Sequence, residues 1–231
     1  DQALRLLVEM ASAHVELDTI TYSAAISACE KGDQWATALR LLIEMESAHV
    51  EVNTITYSAA VSACEKGREW AHALHLFREM SRLCVERSIV TYTATVSACE
   101  KGGDWVRALQ LFGEMVDDRV ERNTVTYNAM VRACTAGGEF TRALHLFHEM
   151  ADQSVLADVF THCEAVSASA LCGNWAYALE LCRQMADRCL ERDIVASSVA
   201  CRACEKAGET VCVLELCREV AADLVKTYSI T

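Results

Sequence analysis

One fifteen-residue phrase recurs down the chain with few changes: TYSAAISACEKGDQW from Thr21 to Trp35, TYSAAVSACEKGREW from Thr56 to Trp70, and TYTATVSACEKGGDW from Thr91 to Trp105. The step from Thr21 to Thr56 to Thr91 is 35 residues, and it persists where the phrase itself decays. Tyr22, Tyr57, Tyr92 and Tyr127 keep it, as do Trp35, Trp70, Trp105, Phe140 and Trp175. Met10, Met45, Met80, Met115, Met150 and Met185 keep it too. Cys29, Cys64, Cys99, Cys134 and Cys204 share one register, with Ser169 in the gap. A fixed period of this length constrains the fold more than composition does. Each unit is one supersecondary element that must bury its apolar face against its neighbours.

Six full periods fit, at 19–53, 54–88, 89–123, 124–158, 159–193 and 194–228, the last two degenerate. Residues 1–18 match the second half of a preceding period, a second helix, and 229–231 match the start of a following one. Such ends are expected of a segment of a longer array, with any targeting segment outside it. Within a period, Tyr22, Ala25, Ile26 and Cys29 fall at i, i+3, i+4, i+7, and Trp35, Ala38, Leu39, Leu42 and Met45 form a second helical stripe. Gly32 and Asp33 between them read as a helix stop and a fresh N-cap. The chain has no proline to interrupt either helix. Helices of roughly 12–14 residues are about 20 Å long and marginal alone. Stacking on neighbours is therefore required, and the expected fold is all-α, an α-solenoid whose concave face suits a long ligand.

Charge and cysteine narrow the function. The net charge is −12, so the chain lacks the overall basic footprint usual in nucleic-acid binders. The thirteen cysteines recur mostly at helical core registers, where free Cys behaves as a small hydrophobe, and they point to a reducing compartment. No apolar run reaches the roughly 18 residues needed to span a bilayer.

The segment VTYNAMVRACTAGGEFTRALHLFHEM, Val125 to Met150, resembles the pentatricopeptide repeat family in its Thr-Tyr-Asn opening, its central Gly and its closing Ala-Leu-x-Leu-Phe-x-Glu-Met. With six registers agreeing, the resemblance covers essentially the whole chain. Tetratricopeptide repeats are the nearest alternative, but they run 34 residues with a different motif. There are departures. Where the family places Pro after a Gly at the end of a repeat, this chain has Leu17, Val52, Arg87, Arg122, Ala157 and Arg192, and the Gly position holds residues such as His49 and Cys84. A less sharply defined turn between repeats is expected from this. The fifth and sixth repeats open VFTHC and IVASS.

The resemblance implies a right-handed α-solenoid superhelix that binds single-stranded RNA, one base per repeat, read by a pair of side chains. Carried onto this sequence, the pairs are Ser23 with Asn53, Ser58 with Ser88, Thr93 with Asn123, Asn128 with Asp158, and Cys163 with Asp193. A sixth pair, Ser198 with Tyr228, is unfit to read a base. The implied preference is adenine, an unassigned base, adenine, then uracil, running 5′ to 3′ from N to C. The aliphatic residues Ile20, Ile55, Val90 and Val125 would wedge bases apart, and Lys31, Lys66, Lys101 and Lys206 would contact phosphate, with Ala136 and Leu171 interrupting that track. No cofactor, metal or catalytic residue is implied, the expected process is organellar RNA processing, stability or translation, and an organelle, chloroplast or mitochondrion, is implied as the location.

Each position also has a plainer explanation. Asp18, Asn53, Ser88, Asn123, Asp158 and Asp193 are all preferred N-cap residues. Lysines at a helix C-terminus are favoured by the helix dipole alone. Ser23, Ser58, Thr93 and Asn128 are harder to explain that way, because such residues compete with the backbone inside helices. Cys201-x-x-Cys204 with Cys212 and Cys217 resembles a zinc pattern, but Cys204 occupies the core register of Cys29, and structural cysteines are expected. Glu9, Glu44, Glu79, Glu114 and Glu149 fall late in the second helix, away from the first-helix positions that would read RNA. The alternative function is a non-catalytic protein-interaction scaffold, to which the −12 charge and the degenerate last repeats belong.

Overall fold

A computed structural model of the chain describes residues 17–187 and 194–209, and Arg218. The described residues form eleven helices and no strands. They are α1 (Thr19–Lys31), α2 (Trp35–Ser47), α3 (Thr54–Lys66), α4 (Trp70–Arg82), α5 (Ile89–Lys101), α6 (Trp105–Asp117), α7 (Thr124–Ala136), α8 (Phe140–Asp152), α9 (Val159–Leu171), α10 (Trp175–Asp187) and α11 (Ile194–Ala207). The fold is all-α, of helical hairpins in the α-solenoid class. The expected second helix in residues 1–18 and the expected continuation at 229–231 lie outside the described residues. The chain divides into two compact units, Asp1–Arg122 and Asn123–Thr231. The first contains α1–α6 and the second α7–α11.

The first helix of each of the first five hairpins begins at a side-chain cap. Asp18, Asn53 and Ser88 in the first unit, and Asn123 and Asp158 in the second, each accept a hydrogen bond from the backbone N–H three residues on, at Thr21, Thr56, Thr91, Thr126 and Thr161. This satisfies one of the amides that a helix start leaves open.

The turn inside the hairpin differs from expectation. Asp33 is not an N-cap: it sits two residues past the end of α1 in the left-handed region, φ 53°, and Gln34 takes the N-cap place without a side-chain capping bond. The Gln34 N–H reaches the Cys29 carbonyl (2.9 Å) and the Asp33 N–H that of Glu30 (3.4 Å), the double closure of a Schellman turn. The glycine ahead of this turn serves close packing. A Cβ on Gly67 would lie 2.4 Å from Cδ1 of Trp35, and one on Gly102 would lie 2.4 Å from Cδ1 of Trp70. Each tryptophan rests on the glycine of the following hairpin.

The turns between hairpins are sharp, contrary to what the missing Gly and Pro suggested. His49, Cys84, Arg119 and Ser154 all adopt φ between 54° and 57°. After each, a valine N–H closes onto a methionine carbonyl: Val50 onto Met45, Val85 onto Met80, Val120 onto Met115 and Val155 onto Met150, at 2.8–3.0 Å. Side chains replace the rigidity of proline. Arg87 packs over the Phe77 ring, 5.0 Å from its centroid, and pairs with Asp118. Arg122 packs 3.7 Å over Phe112 and donates to its carbonyl at 2.7 Å. Thr19 and Thr54 donate across to the Glu51 and Glu86 carbonyls, and Thr124 to that of Leu156.

In the first unit α1, α3 and α5 stack on one another. α2 packs against α1 and α3, and α4 against α3 and α5. In the second unit α7, α9 and α11 stack likewise, with α8 between α7 and α9 and α10 between α9 and α11. The predicted stripes supply the core. Tyr22, Ala25, Ile26 and Cys29 are buried, as are Ala38, Leu42 and Met45. Trp35 and Leu39 are only partly buried, and Leu41 takes a place inside. The tyrosines of the first helices bury their rings and keep their hydroxyls paired with a carboxylate of a second helix or its following turn, Tyr22 with Glu44 (3.3 Å), Tyr57 with Glu46 (3.0 Å), Tyr92 with Asp118 (2.6 Å) and Tyr127 with Glu149 (3.1 Å). Among the described residues, no helix is long and apolar enough to cross a membrane.

Candidate nucleic-acid interface

The residues expected to read bases gather at the N-terminal ends of the first helices. This is a consequence of the stacking. Side chains in the first turn and a half of one first helix meet the cap and first turn of the next. Between α1 and α3, Ser23 Oγ lies 3.2 Å from Thr56 Oγ1, and Thr56 Oγ1 donates to Asn53 Oδ1 at 2.8 Å. Thr56 N–H also donates to Asn53 Oδ1 (3.0 Å), and Ser23 Oγ donates back to the Thr19 carbonyl (2.6 Å). Between α3 and α5, Ser58 lies 2.8 Å from Thr91 Oγ1 and 3.4 Å from Ser88 Oγ. Between α7 and α9, Asn128 Nδ2 donates directly to Asp158 Oδ2 at 3.0 Å, and the Thr161 hydroxyl shares its one proton between Asn128 Oδ1 and Asp158 Oδ1.

Three expected pairs are thus brought together within a unit: Ser23 with Asn53, Ser58 with Ser88, and Asn128 with Asp158. Thr93 stands half-buried on α5, and Asn123 caps α7, accepting from the Thr126 N–H (2.9 Å) and hydroxyl (2.8 Å). Cys163 is half-buried on α9, while Asp193 lies outside the described residues, as does Tyr228. Burial pushes the Asp158 carboxyl up, but hydrogen bonds from the Thr161 N–H and hydroxyl and from Asn128 outweigh it, and the group is held below the usual carboxylate range.

Beside the pairs runs an apolar row that the fold leaves in water. Ile20, Ile55 and Val90 are 76, 64 and 55 % exposed in the first unit. Val125 is 57 % exposed in the second, and Phe160 continues the row at 49 %. Phe160 is a residue that sequence reasoning passed over, although its register 35 residues after Val125 marked it. The third-position threonines, Thr56, Thr91, Thr126 and Thr161, were also missed. They recur in every one of these repeats, but they read as part of the Thr-Tyr motif, and all are fully buried.

The lysines stand at the other end of the first helices, and two are engaged. Lys66 Nζ lies 3.0 Å from Glu30 and Lys101 Nζ 2.6 Å from Glu65, each pair linking one hairpin to the next. Lys31 and Lys206 are exposed at the same register, and Ala136 and Leu171 interrupt it. Cys204 is buried in the register of Cys29, Cys201 is half-buried, and Cys212 and Cys217 lie outside the described residues. Among the described residues, no three His, Cys, Asp or Glu side chains converge on a metal position. Burial pushes the thiols of Cys64 and Cys99 up to about 12 and that of Cys134 to about 11.

Stacked helical hairpins, with a polar pair and an exposed apolar residue at the three junctions described within the units, define a helical repeat protein of the binding kind. The comparisons give the family. Residues 5–66 match the model of the pentatricopeptide repeat domain, residues 55–85 that of the PPR repeat, and residues 87–136 and 122–163 that of the PPR repeat family. The chain belongs to the pentatricopeptide repeat family. It is similar in structure to the pentatricopeptide repeat protein PPR10 from maize, with a TM-score of 0.68 at 26 % identity over 96 % of this chain and 32 % of that one. It therefore spans about a third of that relative's length. It is also similar to PPR10 in complex with an 18-nucleotide psaJ RNA element (TM-score 0.58, 20 % identity, 96 % of this chain and 37 % of that one). The PPR domain of Arabidopsis thaliana protein-only RNase P 1, solved with tRNA, matches at a TM-score of 0.63 and 16 % identity over 74 % of this chain and 95 % of that one. At these last two identities the likeness is one of fold. No curated protein matches the sequence.

Proposed function

We propose that this chain is a non-catalytic module that binds single-stranded RNA, selecting about one base per hairpin junction, in organellar RNA processing, stability or translation. The observation that carries the reading is the Asn128–Asp158 pair. Two polar side chains from successive hairpins meet at 3.0 Å beside the exposed Val125, where a base stacked on the aliphatic side chain would present its edge to both. The RNA-bound structures of the similar proteins support the ligand class.

The chemistry of the caps supports the base preferences. A backbone N–H can only be capped by oxygen, so Asn53 and Asn123 must turn Oδ1 inward and Nδ2 outward, offering donors. Asp158 turns Oδ1 inward and Oδ2 outward, offering an acceptor. The ring nitrogen on the Watson–Crick edge accepts in adenine and cytosine and donates in guanine and uracil. The outward amide at the first junction fits adenine, Asn123 offers the same donors, and the outward carboxylate of Asp158 fits uracil. Ser88 carries a hydroxyl that can do either, which leaves the second base unassigned.

Titration of the chain with short RNAs tests this. RNA containing AAAU is expected to bind more tightly than the same RNA with that U changed to C or G, and much more tightly than oligo-C. The double variant Asn128→Ala/Asp158→Ala is expected to lose the U preference, worth about tenfold at 1–3 kcal/mol per well-read base. Absence of binding at low salt, or indifference to base and to the double variant, would replace this reading with that of a protein-interaction scaffold. One observation favours that rival: Lys66 and Lys101 already have carboxylate partners in a chain of net charge −12.

A further inference from the structure

The third-position threonines do more than start a helix. Thr56, Thr126 and Thr161 are fully buried, and each places two donors, its N–H and its hydroxyl, on the same oxygen of the preceding cap residue. An N-cap bond needs only the N–H, although the Thr161 hydroxyl also accepts from the Asp158 N–H at 3.2 Å to complete a capping box. The second bond fills the remaining lone pair of that oxygen and fixes the plane of the carboxamide or carboxylate, leaving its outward atom as the one available to a ligand. The same hydroxyl also touches the other member of the reading pair on the preceding hairpin. Thr56 Oγ1 is 3.2 Å from Ser23 Oγ, and Thr161 Oγ1 bonds Asn128 Oδ1. At the first junction Thr56 packs between Ser23 and Asn53: its proton goes to Asn53 Oδ1 and that of Ser23 to the Thr19 carbonyl, so its hold on Ser23 is one of contact. At the fourth, Thr161 holds Asn128 by its oxygen so that the amide nitrogen points to Asp158, 3.0 Å away.

We infer that Thr56 and Thr161 are positioning residues for base selection: each buried hydroxyl sets the orientation of a cap residue and of its partner on the preceding helix, and so sets which hydrogen-bond polarity the junction shows to RNA. The inference rests on the RNA-binding reading above. It assigns selectivity to residues that contact no base.

The test is a comparison of Thr161→Val, Thr161→Ser and the unchanged chain. Dissociation constants are measured for two RNAs that differ only in U or C at the fourth base, alongside the melting temperature. Valine keeps the shape and the capping N–H and removes the hydroxyl, and serine restores the hydroxyl. The expected result is a preference for U that falls about tenfold in Thr161→Val, returns in Thr161→Ser, and does not follow the melting temperature. A Thr161→Val chain that keeps the full preference overturns the inference while leaving the RNA reading intact. So does a loss that serine does not repair. An unchanged chain without any U preference overturns both. Should Thr161→Val not fold, Thr56→Val, read against an adenine-to-guanine change at the first base, decides the matter in the same way.

Discussion

At the residue scale, one amino-acid type can be inert or available according to burial alone. Cys64 and Cys99 are fully buried, and desolvation raises their thiols to about 12, so almost no thiolate exists at neutral pH. Cys84 and Cys172 are exposed. Alkylation at pH 8 followed by peptide mass spectrometry is expected to label Cys84 and Cys172 within minutes and to spare Cys64 and Cys99 until denaturant is added. Rapid labelling of Cys64 in the native chain would mean that the helix stack opens locally. The sequence placed Cys64 and Cys99 in the core by their register. It gave no sign that Cys84 would take φ 54° in a turn, because a residue with a side chain disfavours the left-handed region where the family pattern has glycine.

At the scale of the element, the hairpin is held by two turns with opposite demands. The glycine before the inner turn makes room for an aromatic ring. Gly102→Ala would push a Cβ within 2.4 Å of Trp70 and is expected to destabilise by about 1–3 kcal/mol. The outer turn carries left-handed backbone on side-chain-bearing residues. His49→Gly relieves that conformation at φ 56° and is expected to stabilise by about 0.5–1 kcal/mol after the entropy of glycine is counted. Thermal unfolding of the two variants beside the unchanged chain checks both signs. The helices themselves were legible: the two apolar stripes, the cap residues and the absence of proline each act within a dozen residues. The inner turn was misread because Gly next to Asp suggests a stop and a cap, while the backbone puts its left-handed residue at Asp33 and its N-cap at Gln34.

For the whole molecule the question is how a chain of charge −12 meets a polyanion. Some of the acid is occupied away from the reading pairs. Glu44, Glu46, Asp118 and Glu149 accept tyrosine hydroxyls on the second-helix side. Glu30 and Glu65 are different, since they neutralise Lys66 and Lys101 on the first helices. Changing both to Gln is expected to tighten RNA binding and to steepen its salt dependence, by about 0.7 in the logarithmic slope for each lysine released to a phosphate. Binding isotherms across a salt series measure this. An unchanged slope would show that these lysines contact no phosphate.

The sequence by itself determined the period, the helices and their buried faces, because helix-forming pattern and capping are local and every repeat restates them. It also marked Ser23, Ser58, Thr93 and Asn128 as residues without a simple structural purpose. Only the tertiary structure decided what those residues can offer. The two members of a pair lie thirty residues apart, from Ser23 to Asn53 and from Asn128 to Asp158, and they meet only when successive hairpins stack. Which atom of Asn53 or Asp158 faces outward follows from hydrogen bonds to buried threonines, and a hydrogen bond's direction is fixed by the positions of both its partners.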